Sequence, residues 1–278
     1  GTKTMQCALI YDFDGTLAKG NCAEHGLMPA LGLNEHSDFW PEVNRKNRER
    51  DGDEILTYLG ELAKRARDEG KQDELKPERL QAYGKSIPLF PGVVDWFDAI
   101  NRFASDQGIA LSHYIVSSGL EEMIRGTPVA KHFKKIFGCR YHYDEATGHA
   151  KWPAVAIDYT TKTQYLFRIN KGIENSWDNV TINEYIEPGE RPVPFDHMIY
   201  FGDGDTDIPA MKMVKAQGGC SLAVFDGDKW GDGNTQNKIE KLISEERANY
   251  VVRGDYTSGS QLDVTVRGIL RLYKRKHG

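Results

Sequence analysis

Asp12 and Asp14 lie one residue apart at the end of an apolar run, in Ala8-Leu9-Ile10-Tyr11-Asp12-Phe13-Asp14-Gly15-Thr16. Side chains alternate along a strand, so the two acids would share a face if the strand continued. Gly15 allows a turn instead and leaves both at the strand's carboxyl end, where open α/β sheets bind ligands. Crowded carboxylates repel and are reconciled by a cation or a shared proton. Hard oxygen ligands select Mg²⁺. One acid as nucleophile and one as proton donor, beside Mg²⁺, equip a site for phosphoryl transfer.

Three further segments carry related chemistry. In His113-Tyr114-Ile115-Val116-Ser117-Ser118-Gly119, an apolar run ends in hydroxyls and a glycine. Ser117 and the backbone N–H groups of Ser118 and Gly119 could hold a phosphate, although for this segment alone an ordinary strand exit with a Ser N-cap is the better reading. In Met198-Ile199-Tyr200-Phe201-Gly202-Asp203-Gly204-Asp205-Thr206-Asp207, a strand ends in a cluster of acids. Asp207 stands where a dinucleotide fingerprint needs its third glycine, and an acidic loop repels pyrophosphate but attracts a metal. Between these segments lie Lys162, at an expected helix start capped by Thr, and Lys171, at that helix's end. Lys162 is preferred as the phosphate partner because anions collect at helix N-termini; Lys171 remains the alternative.

In this order, the four segments make the chain resemble the haloacid dehalogenase superfamily of phosphohydrolases, in the phosphoserine-phosphatase-like subgroup. The resemblance implies an α/β fold, a doubly wound, Rossmann-like parallel sheet with a helical cap inserted after the first strand. Residues 1–18 and 89–278 would form the core and 19–88 the cap. It implies Asp12 as nucleophile, Asp14 as general acid and base, and Ser117 with Lys162 on the phosphate. Mg²⁺ would be held by Asp12, the Asp14 carbonyl and Asp203, with Asp207 assisting. The expected activity is hydrolysis of a small phosphorylated metabolite through an aspartyl-phosphate. A phosphomutase or phosphotransferase, and a non-catalytic phosphate-binding module, are the alternatives. Retention of Asp14 separates the chain from the dehalogenases and phosphonate hydrolases of this resemblance.

Composition fits a globular enzyme. The 278 residues are 39% hydrophobic and 28% charged, with a formal net charge of −5. That balance gives no basic field for nucleic acid, and no run is apolar enough for a membrane helix. The first strand begins almost at once, without signal-peptide regions, and Cys7, Cys22, Cys139 and Cys220 lack metal-ligand spacing. Reduced thiols and a cytoplasmic location are therefore expected. The eight histidines show no zinc spacing, and His113 and His197 read as structural.

The elements that must position these groups follow from periodicity. Strands are expected over 6–12, 110–117, 137–143 and 221–225, and before Gly202. Helices are expected near 54–62, 94–104, 159–170 and 209–215. Asp144 to Gly148 reads as a hairpin turn, and 172–195 as a long link before the acidic strand end. Glu24, His25 and Arg45 are the polar candidates for the cap's specificity, and the basic tail 271–277 reads as a solvated helix end.

Overall fold

The computed structural model describes residues 3–33 and 38–278. Seven strands form one sheet: β1 (Met5–Tyr11), β2 (Ile109–Leu120), β3 (Phe133–Tyr143), β4 (Ala150–Val155), β5 (Met198–Gly202), β6 (Cys220–Phe225) and β7 (Tyr250–Arg253). Their spatial order is β4-β3-β2-β1-β5-β6-β7. All neighbours are parallel except the β3–β4 hairpin, which turns through Asp144 to Gly148. β1 is central, with Ala8 to Tyr11 wholly inaccessible, as a strand covered on both faces must be.

Strand alternation sends successive side chains of β1 to opposite layers. Tyr11 and Phe201 stack at 4.5 Å on one side. That layer is covered by α5 (Val93–Asp106), which packs against α10 (Gln261–His277). Trp96 Nε1 donates to the Tyr11 hydroxyl at 3.0 Å. His113 bridges Tyr11 Oη at 3.0 Å and Asn101 Oδ1 at 2.7 Å, and burial pulls its imidazole down to about 3. It is a neutral core histidine, as the sequence suggested. The other layer holds α7 (Lys162–Lys171) and α8 (Ile208–Ala216), which pack on each other, with α8 also against β5 and β6.

After β1 the chain leaves the sheet for a helical insertion comprising α1 (Leu27–Ala30), α2 (Trp40–Arg50), α3 (Glu54–Asp68) and α4 (Pro77–Gly84). Asp53 caps α3 by accepting from Leu56 N at 2.8 Å. Ile55, Tyr58, Leu59, Leu62, Ala63 and Ala66 make α3's buried stripe at helical spacing. The insertion leaves and returns at one point: Lys19 N donates to Pro88 O and Phe90 N to Leu17 O, both at 2.9 Å. α4 also docks on α6 (Glu121–Arg125), so closely that a Cβ on Gly126 would lie 1.9 Å from Gln81 O.

Several local expectations change. β2 continues through Ser117, Ser118 and Gly119 to Leu120, which pairs with Cys139. Ser117 therefore caps no helix. α7 starts after Thr161 without a threonine side-chain cap; Asp158 Oδ1 accepts from Thr160 N and Thr161 N instead. β4, β7 and α9 (Gly233–Ser244) add to the expected set. The link 172–195 holds two short 3-10 turns, with a third, Phe195–His197, at its end, and is fastened by the end of α7. Arg168 donates to Asn175 O at 2.6 Å, and Asn170 to Val193 O at 2.7 Å.

Candidate active site

Three adjacent strand ends and one helix start converge at the carboxyl edge of the sheet. β1 delivers Asp12 and the turn bearing Asp14. β2 delivers Ser117 to Gly119, β5 delivers Asp203 and the loop to Asp207, and α7 delivers Lys162. Gly15 closes the first turn at φ +74°, and a Cβ there would lie 2.7 Å from Asp203 Oδ2. Glycine at that position satisfies the left-handed backbone and leaves room for the neighbouring carboxylate.

Asp12 is 3% exposed. Phe13 N donates to its Oδ1 at 2.7 Å, and Lys162 Nζ lies 3.4 Å from the same oxygen. Burial, then the charge of Asp207, push the Asp12 carboxyl well above the ordinary range, while Lys162 opposes them. Lys162 is wholly buried. Its ammonium donates to Asp207 Oδ1 at 2.8 Å and to Thr206 Oγ1 at 3.1 Å. Burial would lower its pKa, but Asp12 and Asp207 outweigh burial and hold it above its ordinary value. Asp207 also accepts from Tyr200 Oη at 2.7 Å and from Asp203 N at 3.1 Å. Burial pushes Asp207 up, but Lys162 and these donors bring it below its ordinary value.

Asp14 is partly exposed, and Cys22 N donates to its Oδ1 at 2.9 Å. Desolvation raises its carboxyl to about 6, with the Cys22 N–H opposing. That poise suits a group that gives and takes a proton near neutrality. Burial and Asp207 push Asp203 up to about 7. Gly119 N donates to Ser117 Oγ at 2.9 Å, and a Cβ on Gly119 would lie 3.2 Å from that oxygen and 3.6 Å from Asp14 Oδ2. The Ser118 hydroxyl is buried without a partner among the described residues.

Asp12, Asp14, Ser117 and Asp203 line the floor of a cavity of about 470 Å³. Trp40 and Tyr58 from the insertion form part of its wall, their rings stacked at 5.1 Å and 17°. Asn44 and Glu54 bring polar groups to that wall, whereas Glu24, His25 and Arg45 do not line it. Arg45 pairs with Glu42 and Glu49 on the exposed face of α2, each at 2.7 Å. Lys171 lies apart from the acids and donates to Ile182 O at 2.7 Å and Glu184 O at 3.0 Å, fastening the 172–195 link.

Carboxylate oxygens of Asp12, Asp203 and Asp207 lie within 4.8 Å of one another. An all-oxygen set of crowded acids, two of them pushed up by burial and mutual repulsion, fits a hard divalent cation such as Mg²⁺. Tyr200, Thr206, Trp40 and Tyr58 are the participants that motif reading left unassigned. Tyr200 was concealed in an apolar strand, and the two wall aromatics in helical core patterns.

No family model matches the chain. In structure it is similar to a HAD family hydrolase of Salmonella enterica serovar Typhi, with a TM-score of 0.57 at 15% identity over 96% of this chain and 72% of that one. It is also similar to a phosphoserine phosphatase solved as a phospho-aspartyl intermediate analogue, with a TM-score of 0.52 at 17% identity over 95% and 99%. A probable phosphoserine phosphatase of Vibrio cholerae gives 0.56 at 13% identity over 97% and 66%. The fold is thus shared with a HAD family hydrolase and with phosphoserine phosphatases. In sequence, the chain is 30% identical over 280 aligned residues to an uncharacterized protein of Borreliella burgdorferi, covering 92% of this chain and 93% of that one. The chain belongs to one family with that protein.

Proposed function

We propose that the protein is a Mg²⁺-dependent phosphatase that hydrolyses a small phosphate monoester through a phosphorylated Asp12. The observation that carries this reading is the pairing of two unlike acids at one cavity floor. Asp12 is buried against the Lys162 ammonium, and Asp14 is partly exposed with its carboxyl raised to about 6. In the first step Asp12 attacks phosphorus in line, and the leaving oxygen takes a proton from Asp14 as its bond to phosphorus breaks. In the second, Asp14 accepts a proton from water, which attacks phosphorus and releases Asp12. Ser117 and Lys162 hold phosphate oxygens, and Lys162 also balances the charge on Asp12. Mg²⁺ would be held by Asp12, the Asp14 carbonyl and Asp203, with Asp207 behind them; when bound, it supplies neutralisation of the developing phosphoryl charge.

We assign residues 1–18 and 89–278 to a catalytic core and 19–88 to a cap. The backbone pairing where the insertion leaves and returns supports this division, as does the contribution of Trp40 and Tyr58 to the cavity wall. A wall there limits the site to small substrates and excludes phosphoproteins and nucleic acid. The four cysteines are unpaired and buried, and no helix among the described residues is long and apolar enough to cross a membrane. We place the activity in the cytoplasm on the first of these grounds. The test is a panel of phosphorylated metabolites with Mg²⁺, reading phosphate release. Turnover that stops in chelator, returns with Mg²⁺ and falls by several powers of ten in Asp12→Asn is expected. Full turnover by Asp12→Asn would remove the covalent mechanism.

A further inference from the structure

Asp196, His197 and His277 form a second cluster with the chemistry of a metal site. Asp196 and His197 lie in the short turn before β5, and His277 ends α10. β5 runs from this end to the acids, so at strand rise the cluster is about 20 Å from Asp203, at the opposite edge of the sheet. We propose that these three residues bind a divalent transition-metal ion of the zinc class and that the ion ties α10 to the sheet.

The ligand atoms all lie within 4.8 Å of one another. His197 Nε2 is 3.8 Å from Asp196 Oδ1, and His277 Nε2 is 3.8 Å from Asp196 Oδ2. Around tetrahedral Zn²⁺ with bonds near 2.0 Å, ligand atoms stand about 3.3 Å apart, so side-chain shifts of about 1.5 Å or less complete the site. The tautomer of His197 is also set for ligation. Its Nδ1 lies 2.9 Å from Gln6 O, and a carbonyl only accepts, so Nδ1 carries the proton. Nε2 is then the nitrogen left to ligate, on the side of Asp196, and a backbone carbonyl behind the imidazole is a usual support for a metal-binding histidine. At 3.8 Å, His197 Nε2 is too far from Asp196 for a hydrogen bond, so neither is committed to the other.

Two imidazoles and one carboxylate favour zinc-class ions over Mg²⁺ or Ca²⁺. The last turn of α10 carries Lys274, Arg275 and Lys276, which further disfavours an ion held by charge alone. The His197 and His277 rings face each other at 4.9 Å and 28°, and the three side chains are 16–40% exposed, so an ion can enter from solvent. The helix end would then be fastened at its tip, beside the bond from Tyr273 Oη to Met198 O at 2.7 Å.

The experiment is a Zn²⁺ titration of the tag-free full chain by calorimetry, in saturating Mg²⁺ so that the Asp12 cluster is filled. One equivalent should bind, with micromolar or tighter affinity, and raise the melting temperature by roughly 5 °C at a hundredfold excess over Kd. His277→Ala and Asp196→Asn should each weaken binding at least a hundredfold and abolish that rise, with Mg²⁺-supported phosphate release unchanged. Asp196→Asn keeps the side-chain shape, and circular dichroism matching the wild type separates lost ligation from lost fold. No Zn²⁺ equivalent in the wild type, or equal binding by His277→Ala, would overturn the proposal. So would an equivalent lost only in Asp203→Asn, since it would then belong to the catalytic acids.

Discussion

Replacing Lys162 by Met should destabilise the protein far more than replacing Lys171. Lys162 has no exposure, and its ammonium lies 2.8 Å from Asp207 and 3.4 Å from Asp12, themselves buried. Methionine matches the length of the stem but leaves two carboxylates facing each other without a cation. Removing one partner of a buried ion pair costs about 3–5 kcal/mol, a factor of roughly 10² to 10⁴ in the folding equilibrium. For a chain of this size that lowers the melting temperature by roughly 6–20 °C. Lys171→Met removes two bonds to loop carbonyls at a partly exposed position and should cost about 1 kcal/mol. The assay is urea unfolding at pH 7 in chelator, by fluorescence and circular dichroism, with equal slopes required before midpoints are compared. Repeating it in Mg²⁺ should return part of the loss in Lys162→Met, because a cation among the acids takes over some of the neutralisation. A Lys162→Met protein within 1 kcal/mol of wild type, or a larger loss in Lys171→Met, would refute this account of the charge balance.

Asp14→Asn should preserve the fold, since the amide oxygen can still accept from Cys22 N. It should lower turnover of alkyl phosphates by about 10²–10⁴ and of p-nitrophenyl phosphate distinctly less, since a good leaving group needs less protonation; equal losses would contradict the general-acid role. The stabilisation conferred by Mg²⁺, measured as the melting temperature in Mg²⁺ minus that in chelator, should grow as pH rises from about 4 through 7. Asp203 has a folded value of about 7, above its unfolded value of 3.8, so without metal its stabilising contribution is present below 3.8 and lost through that window, whereas the Asp14 carboxyl, raised to about 6 but not itself a ligand, contributes alike with and without metal. His113, held down to about 3, gives the opposite slope, with stability lost as pH falls below its unfolded value of 6.5, but it cancels in the difference. A difference that stays flat across the window would count against metal binding at these acids. Gly15→Ala would put a methyl 2.7 Å from Asp203 Oδ2 at a left-handed φ, so the Mg²⁺ concentration for half-maximal activity should rise at least tenfold; an unchanged requirement would show that Asp203 does not hold the metal.

The acids were legible because their signal is local: an apolar run, a glycine that permits a turn, and carboxylates in fixed steps. Lys162 was legible as the first residue of a periodic segment, although its partner Asp207 is 45 residues away. What sequence reading missed depends on distant packing. The Ser-Ser-Gly end of β2 looks like an exit from the sheet, and only pairing of Leu120 with Cys139 keeps it extended. Tyr200 fits an apolar strand on its own, and its hydroxyl acquires a role only when the loop returns Asp207 to it. Trp40 and Tyr58 sit in patterns that any buried helix face shows, so their place in a cavity wall was not distinguishable from core. Lys171, Arg168 and Asn170 read as an ordinary helix end, yet all three bond to the 172–195 link, which no periodicity describes.

The charge count of the buried cluster links the tyrosine, the lysine and the expected metal. Asp12, Asp203 and Asp207 bring three negative charges when ionised, and Lys162 returns one, so the cluster is left at about −2 with Asp12, Asp207 and Lys162 all buried. Neutralising it needs either protons, which the raised values of Asp12 and Asp203 express, or one divalent cation. The two solutions differ chemically, because a protonated Asp12 cannot attack phosphorus. Asp207 decides which oxygens remain for the cation. Its Oδ1 is engaged by Lys162 and Tyr200 and its Oδ2 by Asp203 N, so it has at most one lone pair to spare. In the proposed enzyme Asp207 therefore holds Lys162 and the Asp203 loop in place, while Asp12 and Asp203 carry the ion. Asp14 lies outside this balance, bonded to the insertion through Cys22 N, and is free to change protonation without disturbing it.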